Sequence, residues 1–407
     1  MRDLLLEGSP KDFDVATDAR PNEIRRLFRN SRIIGRRFRL VHVYFKDGVV
    51  EVATFRRNPD PGEQESAQGE LLITSDNTFG TPEEDAFRRD FTVNALFYDI
   101  ADFSVIDYVG GLHDLEEKMI RVIGRPDVRF QEDPVRMLRA CEFAARLGFG
   151  IGDDTQEGIE RQKKELAKAS AARLTEEVIE LMRCGSTGAA FQWMLDLGLL
   201  EVMLPEAMAM VSPSSRRLGD FGRLLPALDS MVAAGKPPSD GVLLATLLLP
   251  AVLLARYDKE SADGRPMRRS GVETLVRDVI DPFVARFQLS RARHQEVHHA
   301  LVTFQDLADP KLDEGRRRRL PRRASFGDAL SLMKVMVAAT GQGEDILEDW
   351  QRLAAAESSK GGGRSGPDDD DRSGGRGDRG RGGGRGGRGG KKRRPRRRRR
   401  SGKGKKS

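Results

Sequence analysis

Three short runs near the start of the chain, residues 13–16, 40–45 and 49–55, concentrate β-branched and aromatic side chains and predict strands. Asp47-Gly48, between the last two, is a hairpin signal, because glycine takes the positive φ that such a turn requires. Residues 21–30 predict a helix: Pro21 suits its first turn, and Ile24, Leu27 and Phe28 share one face. The polar, Gly/Pro-rich stretch 57–70 reads as a loop. From Pro134 to about residue 356 the apolar period turns helical. Met137, Leu138, Cys141, Ala144, Ala145 and Leu147 are spaced as one buried stripe, and Gly148 suits its stop. Further helices are expected at about 172–184, 188–197, 241–256, 272–287, 292–306 and 326–338, with no clear fixed-period repeat. The pattern predicts an α+β head followed by an all-helical body.

The longest apolar stretch, 242–255, is interrupted by Pro250 and falls short of the ~20 residues that span a bilayer. It reads as a buried helix, and no membrane partner is expected. Leu4 to Leu6 is too short an apolar run for a signal peptide. A length of 407 residues allows two or three packed units; 38% hydrophobic residues can fill a core, and 33% charged residues with a mean hydropathy of −0.52 mark a soluble chain. Two cysteines, Cys141 and Cys184, lie far apart without a partner motif. That argues against a disulfide framework or zinc site and suits a reducing cytoplasm.

The net charge of +7 conceals a division. Residues 360–407 carry 20 Lys and Arg against 5 Asp, a local +15 that leaves −8 on the rest. RNA affinity of the body must therefore come from local patches. Beyond Ser358 the Gly/Arg-rich sequence has nothing apolar but proline to bury, which predicts disorder. Flexible Arg/Gly chains attract single-stranded RNA through phosphate contact and guanidinium stacking; a merely polyanion-adhesive extension has the same composition.

Candidate chemistry begins at KDFDVAT, residues 11–17. Asp12 and Asp14 are two apart, so on a strand both carboxylates project to one face. They repel unless a cation lies between them, and a hard ion such as Mg2+ accepts carboxylate oxygens while keeping sites open for phosphate. A third carboxylate is then needed. Glu51, on a strand able to pair beside this one, is one candidate, with a salt bridge to Arg56 as the plainer alternative. Arg32, Arg36, Arg37 and Arg39, with Arg29, form a basic patch nearby that suits an RNA backbone or merely a solubilising surface.

Other pairings are set aside. His113-Asp114 lacks the further His and Asp ligands of an HD phosphohydrolase, since the chain has only five histidines. HQEVHH, residues 294–299, misplaces the glutamate for an HExxH zinc site and reads as a solvated helix face.

MRDLLLEG at the start, KDFDVAT, VEVATFR at 50–56, EEDAFRRDFTVNAL at 83–96, DYVGGLHDL at 107–115 and EDPVRMLRA at 132–140 occur together and in order. Over residues 1 to about 210 the chain resembles the bacterial poly(A) polymerase and tRNA nucleotidyltransferase family, class II of the polymerase-β-like nucleotidyltransferases. IIGRRFRL looks like the poly(A) polymerases within it. The resemblance implies a nucleotidyltransferase head (1–125), a helical neck (126–210), a helical body (211–356) and a basic tail (357–407). It implies template-independent transfer of AMP from ATP to RNA 3′ ends, in mRNA processing and turnover. CCA or A addition to tRNA is the alternative, and a truncated, non-catalytic RNA-binding protein a second one.

By the same resemblance two Mg2+ ions sit on Asp12 and Asp14, and Asp90 belongs to the active site, although a salt bridge with Arg88 is its plainer reading. Arg2, Arg89 and Arg139 contact the nucleotide. Asp133 and Arg136, one turn apart, read the base edge; an i,i+3 ion pair capping a helix is the plainer reading. Two departures stand out. Glu142 replaces an arginine usual in the family. A strand and Gly-Gly turn expected just before Arg2-Asp3 are missing, so either the true start lies upstream, the preferred reading, or the product is crippled.

Overall fold

The computed structural model describes residues 1–10, 13–35, 39–58, 78–205, 218–235 and 237–361; Asp12, Arg36, Arg37, most of the expected 57–70 loop and the basic tail lie outside them. Residues 1–360 form one compact unit.

The head is a four-stranded sheet in the order β1-β4-β3-β2, where β1 is Asp14–Thr17, β2 Ser31–Ile34, β3 Leu40–Phe45 and β4 Gly48–Thr54. β1 runs parallel to β4, and the other neighbours are antiparallel. The hairpin closes through Lys46 and Asp47, with Phe45 opposite Gly48. Gly48 thus opens β4 instead of occupying the turn, one residue from the expected position.

The pleat sorts the side chains. Val15, Val52, Val41 and Ile33 form one row across the four strands, and the next residue along each strand gives the row Asp14, Glu51, His42 and Arg32. Alternate residues face opposite ways, so the two rows occupy opposite faces. After the short α1 (Arg2–Leu5), Ile24 of α2 (Pro21–Leu27) covers the apolar face formed by Val41, Val43 and Val52. The polar row is left on the open face. α2 stays short because Leu27 and Phe28 find no partner face and remain exposed.

Helix α3 (Pro82–Arg88) starts at a reciprocal capping box: Glu84 N–H donates to Thr81 Oγ1 (3.2 Å) and Thr81 N–H to Glu84 Oε2 (2.8 Å). After α4 (Gly111–Glu116) and α5 (Pro126–Glu132) comes α6 (Arg136–Leu147), which carries the expected stripe and ends at Gly148, φ +66°. From Phe91 to Trp350 one continuous apolar core joins the helices to the last part of the head. Trp350 anchors its far end, its Nε1–H donating to the Leu307 carbonyl at 3.0 Å.

The six later helices expected from the period form at Ala171–Arg183, Thr187–Asp196, Asp240–Asp263, Arg269–Phe287, Arg291–Leu307 and Phe326–Thr340. Asp240–Asp263 passes through Pro250, and among the described residues it is the one helix long and apolar enough to cross a membrane; Gly241 to Leu249 are buried within the unit. Both cysteines are free thiols, and burial pushes Cys184 up to about 11.

Candidate active site

The open face of the sheet, the N-terminus of α6 and the segment after α3 enclose a cleft of about 1430 Å³. Arg2, Asp14, Glu51, Arg89, Asp90, Asp133, Arg136 and Arg139 all line it. These are the carboxylate and nucleotide candidates of the sequence, apart from Asp12, which lies outside the described residues. Of the basic patch, Arg32 is exposed at the edge of the polar row and Arg39 is exposed, its carbonyl accepting from Arg56 Nη2 at 2.8 Å.

Asp14 and Glu51 are brought together directly, being register partners on β1 and β4. Their donor set is all oxygen, which fits Mg2+. Among the described residues no three His, Cys, Asp or Glu side chains converge as a preformed metal site. The anticipated Glu51–Arg56 bridge is replaced by an imidazole contact: His42 Nε2 lies 2.9 Å from Glu51 Oε1.

Asp90 is placed differently. Its Oδ2 accepts from Arg139 Nε (2.9 Å) and lies 2.8 Å from Arg139 Nη2, while Oδ1 accepts from the Phe91 N–H (2.8 Å) and Asn94 Nδ2 (3.1 Å). Burial alone would raise the carboxyl, but Arg139 and these hydrogen bonds outweigh it and hold it below its ordinary range. The anticipated partner Arg88 turns instead to Asp85. Asn94 extends the network, accepting from Arg2 Nη1 at 2.5 Å, and three guanidiniums, from Arg2, Arg139 and Arg146, surround the Phe143 ring at 4.8–5.1 Å.

Arg89 is held against Asp85 by two bonds (3.1 and 3.2 Å) and against the Asn94 carbonyl (3.0 Å), with its guanidinium over Phe97. Its neighbour Arg88 is pushed down to about 9 by burial, with Arg56, Arg89, Arg136 and Arg129 adding repulsion. Such concentrated cationic charge at a cleft wall favours an anionic ligand.

Asp133 and Arg136 do not pair. Asp133 closes α5, and Arg173 grips it with both Nη atoms (2.5 and 2.8 Å). Arg136 opens α6 and is buried, its Nη1 donating to the Arg129 carbonyl (3.0 Å) and Glu132 Oε2 (3.2 Å). The helix is interrupted here, with Asp133 capping α5 and Arg136 opening α6, so the side-chain i,i+3 geometry of a continuous helix does not apply. Glu142, at the departure from the family pattern, is buried and bonded to Arg146 (3.2 Å); burial raises its pKa. Glu177, 3.7 Å from Arg139, is pushed up to about 7 by burial.

His113 is exposed beside Glu117, while Asp114 is buried, accepting from the Thr92 hydroxyl (2.5 Å) and Arg121. The pair does not act together. His298 departs from a fully solvated face: it is half-buried, and its Nε2 lies 3.3 Å from the Glu273 carbonyl.

Asn94, Arg173 and His42 were not singled out by the sequence. Asn94 lay within RRDFTVN, and His42 was findable as the polar residue on an otherwise apolar strand. Arg173 gave no local signal, because its partner is forty residues away.

Residues 1–121 match the poly A polymerase head domain, and 148–210 match the probable RNA and SrmB-binding site of polymerase A. Poly(A) polymerase I of Salmonella typhi is 48% identical over 209 residues, 50% of this chain and 45% of that protein. The CCA-adding enzyme of Bacillus subtilis is 36% identical over 201 residues, 49% of each. The chain thus aligns with a little under half the length of these curated relatives. The Bacillus stearothermophilus CCA-adding enzyme, solved in complex with CTP, matches with a TM-score of 0.62 at 25% identity, covering 87% of this chain and 76% of that one.

Proposed function

We infer that this chain, whose residues 1–121 and 148–210 match the poly A polymerase models, is a class II RNA nucleotidyltransferase that adds AMP from ATP to RNA 3′ ends without a template. The observation that carries this reading is the meeting, in one cleft, of the Asp14–Glu51 pair with guanidiniums from Arg2, Arg89, Arg136 and Arg139. Oxygen donors for divalent ions then face cations suited to a triphosphate.

In the reaction the RNA 3′-hydroxyl oxygen bonds the α-phosphorus as the α–β bridging bond breaks, so pyrophosphate leaves and the hydroxyl proton passes to solvent. Two Mg2+ ions held by Asp12, Asp14 and Glu51 would supply Lewis-acid activation of the hydroxyl and neutralise charge on the phosphates. Arg2 and Arg89 hold the triphosphate. Arg139 takes part from a fixed position, since Asp90 already orients it. We assign Asp90 this orienting role and Glu51 the third carboxylate, because both oxygens of Asp90 are engaged by protein donors. Asp133 and Arg136 read the adenine edge. Each is already fixed, by Arg173 and by backbone carbonyls, so little ordering remains when the base arrives. Arg32, with Arg36, Arg37 and Arg39, tracks the RNA backbone, and the tail adds a polycation.

Higher identity to poly(A) polymerase I than to CCA-adding enzymes, and the IIGRRFRL segment, support adenylate addition over CCA addition. The test supplies the full chain with Mg2+, with ATP alone, CTP alone or both together, and with either an unstructured RNA or tRNA lacking its CCA end. A ladder of A residues on the unstructured RNA with ATP alone is expected. Two C additions followed by one A, confined to tRNA, would identify a CCA-adding enzyme. No incorporation from either nucleotide leaves only an RNA binder.

A further inference from the structure

The row that carries Asp14 and Glu51 continues across the sheet to His42 on β3. His42 is Glu51's register partner on the side away from Asp14, so the glutamate stands between the aspartate and the imidazole. The contact is direct, with Nε2 2.9 Å from Oε1. A carboxylate only accepts, so the imidazole must present Nε2–H, and the bond occupies one of the two glutamate oxygens.

Glu51 needs such a partner. Its side chain is 46% exposed on the open face of the sheet. A glutamate left to itself there keeps its rotamer freedom, which a bound cation would have to remove. His42 is better fixed: its side chain is 22% exposed and its ring lies edge-on to Tyr44, with centroids 6.4 Å apart. An imidazole in its neutral form also orients the carboxylate without bringing the permanent charge that a lysine or arginine would set against a cation.

We propose that His42 is a positioning residue: through Nε2–H it holds Glu51 so that the carboxylate's second oxygen, beside Asp14, takes a divalent cation. This rests on the reading of Glu51 as a metal-holding carboxylate. It goes further in naming a residue that touches neither nucleotide nor metal yet sets the affinity for the ion.

The test is Mn2+ binding to the full chain, read by the loss of free-ion electron paramagnetic resonance signal without RNA or turnover. His42→Ala is expected to weaken binding about tenfold. His42→Gln places an amide N–H near the position of Nε2–H and is expected to recover most of that loss. Circular dichroism establishes that both variants are folded. Wild-type affinity in folded His42→Ala overturns the proposal, as does a His42→Gln variant no better than alanine, since the loss would then reflect the ring's bulk. Glu51→Gln separates the two levels. If it loses Mn2+ while His42→Ala keeps it, only the role of His42 fails. If the wild-type chain takes up no Mn2+, or Glu51→Gln binds it as wild type does, the reading of the site fails as well.

Discussion

Asp90→Asn distinguishes a carboxylate that orients an arginine from one that ligates metal. Asp90 is 13% exposed in its side chain and accepts four bonds, two of them from Arg139. An amide in the same space keeps the oxygen that Phe91 N–H and Asn94 use, but turns an N–H donor towards Arg139, which then loses both bonds. Breaking a buried ion pair by removing one partner costs about 3–5 kcal/mol. Arg139 is about one-third exposed, so solvent screening reduces the expected loss to ~2–3 kcal/mol. Urea unfolding of the full chain measures this as a lower midpoint at unchanged slope. The folded-state pKa of Asp90 is depressed, so its contribution is present above the ordinary carboxyl value and is lost as pH falls through the folded value. The difference between wild type and variant should accordingly shrink in acid. Mn2+ affinity should stay within about threefold of wild type, well below the ~10–100-fold loss of a disturbed metal site. Unchanged stability together with a tenfold or larger loss of Mn2+ would refute the reasoning and move Asp90 into the metal site.

Glu177→Gln should act on stability with the opposite pH dependence. Its folded pKa of about 7, against the ordinary 4.5, means stability that is full below 4.5 and lost as pH rises towards 7. Denaturation at pH 8 should find the glutamine variant more stable by up to ~3 kcal/mol, and at pH 5 by much less; an equal difference at both would contradict the buried-acid account. Removing residues 362–407 should weaken RNA binding and flatten its salt dependence, while addition to saturating RNA continues. A salt slope unaltered by the deletion would show that the tail makes no phosphate contacts. Arg173→Ala should raise the KM for ATP, because Asp133 loses both of its donors. An unchanged KM would remove Asp133 from the base site.

The sequence made the fold legible where one side chain pattern had one structural solution. The stripe from Met137 to Leu147 could only be buried against other helices, and Gly148 ended it. The helices at Leu218–Ala233 and Glu344–Gly361 were not anticipated: the first carries Pro226 and two glycines, and the second has as many charged residues as apolar ones. At the site, the residue types and the strand holding Asp14 were readable, as was the possibility that Glu51 lay beside it. Partner choice was not. Asp90 and Arg139, forty-nine residues apart, meet only because α6 packs against the head, and Asp133 and Arg173, forty apart, because Ala171–Arg183 packs against α6. Local spacing at Asp133–Arg136 suggested an ion pair capping a helix that starts at Pro134, whereas Asp133 caps the preceding helix α5 and α6 opens at Arg136.

The acidic pair at the sheet's open face is what drives AMP transfer in the proposed reaction. Single-turnover extension of an unstructured RNA with labelled ATP and Mg2+, comparing wild type with Asp14→Asn, addresses it most directly. The account predicts a ladder of adenylate additions by wild type, none by the variant, and the same RNA affinity in both. Extension by Asp14→Asn at the wild-type rate would contradict it.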